Sequence, residues 1–171
     1  MEAEPLLRRA AGERPSLPEP WFQLGLAVAA QNNYAEALKC FERALQMHPT
    51  DGSCLAYKAK TLSKLNRHAE AIQAYREAVK LYAESWEGHF ELAGELADAN
   101  EIAKSIKEYN EVVRLNPRHA IARVNLGVML VRQNRMDEAI QQFENALGLD
   151  PNNAAAKDYL RQVSALRNQR R

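Results

Sequence analysis

The side chains best suited to metal binding or nucleophilic catalysis are few in this chain. Cys40 and Cys54 are the two cysteines, and His48, His68, His89 and His119 are the four histidines. A structural zinc site needs closely spaced thiolates or imidazoles, and a redox pair needs the CxxC spacing; neither is present. The two cysteines therefore read as small thiols, buried or half-buried, and whether they bridge is a question of geometry. The sequence has no glycine-rich phosphate loop, no nucleophile elbow and no HExxH. Carboxylates such as Glu42 and Glu144 fall where solvated or ion-paired roles are the default. No catalytic residue, metal ligand or cofactor is expected, and the chain on its own is not expected to be an enzyme.

The elements that carry these residues repeat. A period of 34 residues runs without insertion or deletion, with units beginning at Pro18, Gly52, Trp86 and Ala120 and a fifth opening at Ala154. One column holds Asn32, Asn66, Asn100 and Asn134, another Phe41, Tyr75, Tyr109 and Phe143, a third Leu38, Ile72, Ile106 and Ile140. Such self-similarity marks a stacked array in which each unit buries its apolar face against its neighbours. The four histidines occupy four different places in the repeat, which argues against a shared metal site.

Within a unit the apolar spacing predicts two helices. Trp21, Leu24, Gly25 and Val28 recur at helical spacing and stop at Gln31 and Asn32; Ala37, Phe41, Ala44 and Leu45 do the same and stop at Pro49. Asn tolerates the left-handed backbone that ends many helices, so the Asn column predicts four helix stops. Pro49, Pro117 and Pro151 predict the ends of second helices. Ala83 stands where the second unit would have its proline, so its second helix is expected to run on toward Trp86. Gly25, Ala59, Ala93 and Gly127 on the first helices, and Ala37, Ala71, Ser105 and Ala139 on the second, are small enough to let backbones approach.

These residues resemble the tetratricopeptide repeat family, whose pattern appears as Trp21-x2-Leu24-Gly25-x2-Val28, Ala37-x3-Phe41 and Pro49. The resemblance covers four units, 18–51, 52–85, 86–119 and 120–153, and residues 154–171 look like the polar capping helix of such arrays. It implies an all-α, right-handed superhelical array of antiparallel helix pairs, an α-solenoid whose first helices line a concave groove. Lys58, His89, Arg123, Val112 and Ala83 depart from the pattern. Residues 1–17 form an N-terminal helix. Ala3, Leu7, Ala10 and Pro15 lie in phase with a second helix, so this is either the tail of a preceding repeat or a lone cap.

The balance of 23 basic against 22 acidic residues excludes a strong field over the molecule, so nucleic acid is not expected as a partner. Arg161, Arg167, Arg170 and Arg171 read as a solvated, dipole-favoured helix end. No apolar run reaches the ~20 residues of a membrane span. The charged first residues after Met1 lack the apolar core of a secretory signal, which points to the cytoplasm.

By the family resemblance, the fifth, ninth, twelfth and thirteenth residues of each unit face the groove. Phe22, Leu26, Phe90, Val124 and Val128 would form an apolar stripe, with Lys60, Lys64 and Arg132 as a cationic rim. The stripe is either a docking surface for a partner segment or inter-repeat core. Trp86 reads as a packing residue at the end of the second unit. The resemblance does not extend to arrays that grip the terminal carboxylate of chaperones: their basic and Asn positions fall here on Phe22, Leu26, Tyr57, Glu87 and Glu91, or one unit on at Ala56, Lys60, Glu91, Ile121 and Asn125. The expected function is a non-enzymatic scaffold for a protein or peptide ligand. The alternatives are an accessory substrate-recruiting domain of a larger enzyme, such as a glycosyl- or methyltransferase, and self-association through the array ends.

Overall fold

The computed structural model describes residues 3–169, and among the described residues the secondary structure is entirely helical. The chain folds as two compact units, one up to Ala83 and one from Glu84 onward. The first holds α1 (Ala3–Glu13), α2 (Pro18–Ala29), α3 (Tyr34–Met47), α4 (Gly52–Lys64) and α5 (His68–Leu81). The second holds α6 (Trp86–Asp98), α7 (Ile102–Leu115), α8 (Ala120–Arg132), α9 (Met136–Leu149) and α10 (Ala154–Gln169).

Local chemistry sets where each helix stops. Asn32, Asn66, Asn100 and Asn134 have φ of 63°, 60°, 61° and 62°, and are the non-glycine residues with positive φ among those described. After each of them the next backbone N–H reaches back five residues: Asn33 to the Val28 carbonyl, Arg67 to Leu62, Glu101 to Leu96 and Arg135 to Leu130, at 2.8–3.2 Å. That is a Schellman ending, in which the left-handed residue turns the chain so that orphan carbonyls are satisfied. A turn this short folds the second helix back on the first.

The starts of the first helices are capped by the last residue of the preceding 34-residue repeat. Asp51, Ser85, His119 and Asn153 each accept the backbone N–H three residues on, from Cys54, Gly88, Ala122 and Ala156. Before α2 the cap residue is Leu17, with no side-chain bond, and Pro18 supplies a preset φ instead.

The expected run-on of the second repeat's second helix does not occur: α5 ends at Leu81, at the same place in the repeat as α3, α7 and α9. Tyr82 has φ −126°, beside −133°, −129° and −135° at His48, Asn116 and Asp150. The Tyr82 ring lies against Gly52, where any Cβ would collide with it. That packing goes with the same extended conformation that a following proline favours elsewhere.

Each unit has its own core. In the first, Leu24, Val28, Ala37, Cys40, Phe41, Ala44 and Cys54 are buried together with Ala11 of α1. Leu7 packs at the edge of this cluster; in α1 the fully buried residue is Ala11, with Ala10 only half-buried. Arg8 bonds Glu36, and Glu4 accepts from Gln31, fastening α1 to α3 and to the turn before it. In the second unit, Ala93, Ile106, Tyr109, Val112, Ala122, Leu126, Leu130, Ala139, Phe143 and Val163 share a core with their neighbours. The small columns are buried, and Val112, the large residue in a small-residue column, is fully accommodated.

Candidate binding faces

The first helices carry all the residues expected to meet a partner. In the first unit α2 contributes Phe22 and Leu26, both half-buried and packed against the core around Phe41. The Phe22 ring lies 5.9 Å from Phe41 and meets Tyr57 of α4 edge-on at 5.6 Å, while Tyr57 stacks on Phe41 at 6.1 Å. The three rings form one platform, with Tyr57 still 44% exposed. Lys60 and Lys64 are exposed on α4.

In the second unit Phe90 of α6 is half-buried, stacked on His119 at 5.0 Å and edge-on to Tyr109 at 5.8 Å. Trp86 meets the other side of this group, edge-on to His119 at 4.8 Å. His119 therefore caps α8 and also fills space between two aromatic rings, a double role that its isolated position in the sequence did not signal. Val128 is half-buried beside the core.

Two of the expected surface residues are placed otherwise. Val124 is 6% exposed and belongs to the core of the second unit, because α8 is apolar over most of its circumference and buries this side as well. Arg132 is not a free rim charge. Its guanidinium donates to the Ala97 carbonyl at 3.3 Å and to Asn100 Oδ1 at 2.8 Å, closing the C-terminal end of α6 where unpaired carbonyls and the helix dipole favour a cation.

Two polar substitutions in the repeat pattern form contacts of their own. Arg123, standing where the first unit has Trp21, donates to the Pro117 carbonyl at 3.2 and 2.9 Å. Trp21 Nε1 donates to the Pro15 carbonyl at 3.2 Å, the same six-residue reach. His89, in the same column, lies 2.6 Å from Glu108 through Nδ1, with both side chains largely buried. The column thus tolerates different shapes that can hydrogen-bond the chain before their own helix, as Trp21 and Arg123 do, or the second helix, as His89 does through Glu108 and Arg123 through Gln142 at 3.3 Å.

The thiols do not form a site. Cys40 and Cys54 are free and buried, and the Cys54 thiol donates to the Phe41 carbonyl at 3.6 Å. Burial raises the pKa of both, that of Cys54 to about 12, so the nucleophilic thiolate is strongly disfavoured. At the C-terminal end Arg167 pairs with Asp137 and Arg161 with Asp158, while Arg170 and Arg171 lie outside the described residues. No described helix is long and apolar enough to cross a membrane.

Family models described as tetratricopeptide repeat match residues 57–94 and 90–154, residues 18–51 and residues 40–73. Among solved structures, the chain is similar to YrrB, described as a TPR protein with an unusual peptide-binding site, at 20% identity and TM-score 0.87 over 96% of this chain and 84% of that one. It is similar to MamA from Desulfovibrio magneticus RS-1 at 23% identity and TM-score 0.82, over 90% and 86%. The first TPR of Spaghetti (RPAP3), bound to the HSP90 peptide SRMEEVD, superposes with TM-score 0.64 at 23% identity over 67% and 91%. No curated protein matches the chain by sequence.

Proposed function

Because the chain belongs to the tetratricopeptide repeat family and folds as an all-α solenoid of that type, we propose that it is a non-enzymatic interaction scaffold that takes a peptide segment or a partner helix on its first-helix faces. The observation that carries this reading is the state of the apolar first-helix residues. Phe22, Leu26, Phe90 and Val128 are anchored in the cores yet retain exposed surface, and Tyr57 extends that surface further. Rigid, half-exposed apolar side chains lose little entropy when a partner covers them, which suits them to be binding anchors. YrrB and RPAP3, similar in fold, are described as peptide-binding, which supports the same reading for this chain.

Recognition proceeds without a grip on a terminal carboxylate, since the positions that would supply it are Phe22, Leu26, Tyr57, Glu87 and Glu91. The test is selection of binding peptides from a displayed library on the intact chain, followed by titration against Leu26→Ala and Val128→Ala variants of unchanged helicity. At least one of the two weakens binding by about tenfold. Peptides whose affinity is indifferent to both substitutions would place recognition elsewhere. For the carboxylate, SRMEEVD with a free and with an amidated C-terminus should bind alike; strong preference for the free acid would refute that part.

A further inference from the structure

We propose that the α4 face of the first unit recognises an acidic segment carrying one aliphatic or aromatic anchor, its negative charge supplied by internal Asp or Glu side chains. This rests on the scaffold reading and adds the chemistry of the partner. The anchor site is Tyr57, 44% exposed, with its ring stacked on Phe41 and held edge-on by Phe22. An aromatic ring fixed on two sides by other rings is a preorganised contact that a partner side chain can cover at little entropic cost.

The charge beside it is uncompensated. Lys60 and Lys64 follow Tyr57 by three and seven residues and so share its side of the helix. The α4 sequence holds Lys58, Lys60 and Lys64 and no acidic residue. Several exposed cations elsewhere are neutralised within a turn of their own helix or its cap, as Arg9 is by Glu13, Arg67 by Glu70, Arg114 by Glu111 and Arg135 by Glu138; what sets α4 apart is that its cations adjoin an exposed aromatic ring with no acid on the same helix. Among the described residues no ion pair holds Lys60 or Lys64. Lys64 in the last turn is favoured by the helix end, but Lys60 lies a turn earlier, where that effect has faded. Nor is this a requirement of the repeat, because Glu91, Gly94 and Asp98 occupy the corresponding places in the second unit. At a rise of about 1.5 Å per residue the two lysines are rooted roughly 4.5 and 10.5 Å along the axis from Tyr57. The partner's anchor and acids must fall within about that span.

The test uses the full chain and a fluorescein-labelled twelve-residue peptide with one leucine flanked by four glutamates, beside the same peptide with glutamines. Anisotropy titrations at low and moderate salt should show the glutamate peptide binding about tenfold or more tightly than the glutamine one, with salt narrowing the gap. Lys60→Gln combined with Lys64→Gln should remove that preference while leaving the melting temperature unchanged. Tyr57→Ala should weaken both peptides. A glutamine peptide that binds as tightly as the acidic one overturns the charge assignment and leaves the scaffold reading standing. Absence of binding by the acidic peptide, an unaffected lysine double variant, or equal binding of a single-stranded oligonucleotide, which would mark a generic polyanion surface, each overturns the proposal.

Discussion

The ring of Phe41 lies so close over Gly25 that a Cβ built on that glycine would sit 2.6 Å from Phe41 Cε1. Phe143 covers Gly127 in the same way, also at 2.6 Å. Where the aromatic is Tyr75 or Tyr109, the small residue is Ala59 or Ala93. The following first helix adjusts to the same choice: Tyr57 stacks on Phe41 and Tyr159 on Phe143, whereas Asn125 donates its amide to the Tyr109 hydroxyl at 3.2 Å. A bare ring is met by a ring and a phenol by a hydrogen-bonding group, as buried polar atoms require.

Gly25→Ala is therefore expected to destabilise the first unit by about 1–3 kcal/mol, since the methyl must displace a core ring. A Cβ added at Gly148 in α9 would meet nothing within 4 Å, and Gly148→Ala should stabilise by roughly 0.5–1 kcal/mol through helix propensity alone. Urea denaturation of the two variants checks the contrast; equal effects would show that the ring contact has no energetic weight.

At Asn66, φ is 60°. Asn66→Gly should be neutral or mildly stabilising, and Asn66→Val should cost about 1–2 kcal/mol or more, because a β-branched side chain resists the left-handed region. Thermal melts decide this, and coincident melting points would remove the helix-stop argument.

The helices and their ends were legible because each depends on a local signal repeated in register. The Asn column prescribed positive φ, the apolar spacing prescribed the pairs, and both signals act within a few residues of chain. What could not be read depended on contacts between helices. At the stop after Leu81, where no proline follows, Tyr82 packs on Gly52, a distant residue. Arg132 looked like a free charge because its acceptors, Ala97 and Asn100, lie one repeat earlier. Val124 looked exposed because family position alone does not reveal how far α8 sinks into the core. The equivalence of Arg123 and Trp21 was visible as a shared column, but the common acceptor six residues upstream emerges only from the geometry.

For Cys54 the prediction concerns pH. Its thiol is raised to about 12 in the folded chain by burial, with Asp51 adding to the effect and Lys58 opposing it. An acid whose folded pKa is raised favours folding fully below its unfolded value, near 9, and that contribution is lost as pH climbs toward 12. The native chain at pH 8 should thus leave Cys54 unreactive toward a disulfide reagent, with modification appearing only at the urea concentration of unfolding. Prompt reaction of Cys54 in a Cys40→Ala background would contradict its burial.

Phe90 tests whether a groove residue can belong to both the fold and the interface. A freely exposed anchor would be truncated at little cost to folding, but this ring is half-buried between Tyr109 and His119. Phe90→Ala should accordingly cost about 1–3 kcal/mol of stability, less than the ~3–5 kcal/mol of a fully buried phenylalanine. It should also weaken a groove-selected peptide by roughly 1–3 kcal/mol when measured on the folded fraction. Phe90→Leu separates the two effects, because a leucine refills most of the gap beside Tyr109 while giving up the flat face. It should recover most of the stability and less of the affinity. The paired measurement is a urea curve and a peptide titration on each variant. Loss of stability with unchanged affinity in the folded fraction would assign Phe90 to the core alone and leave Val128 as the second unit's apolar contact.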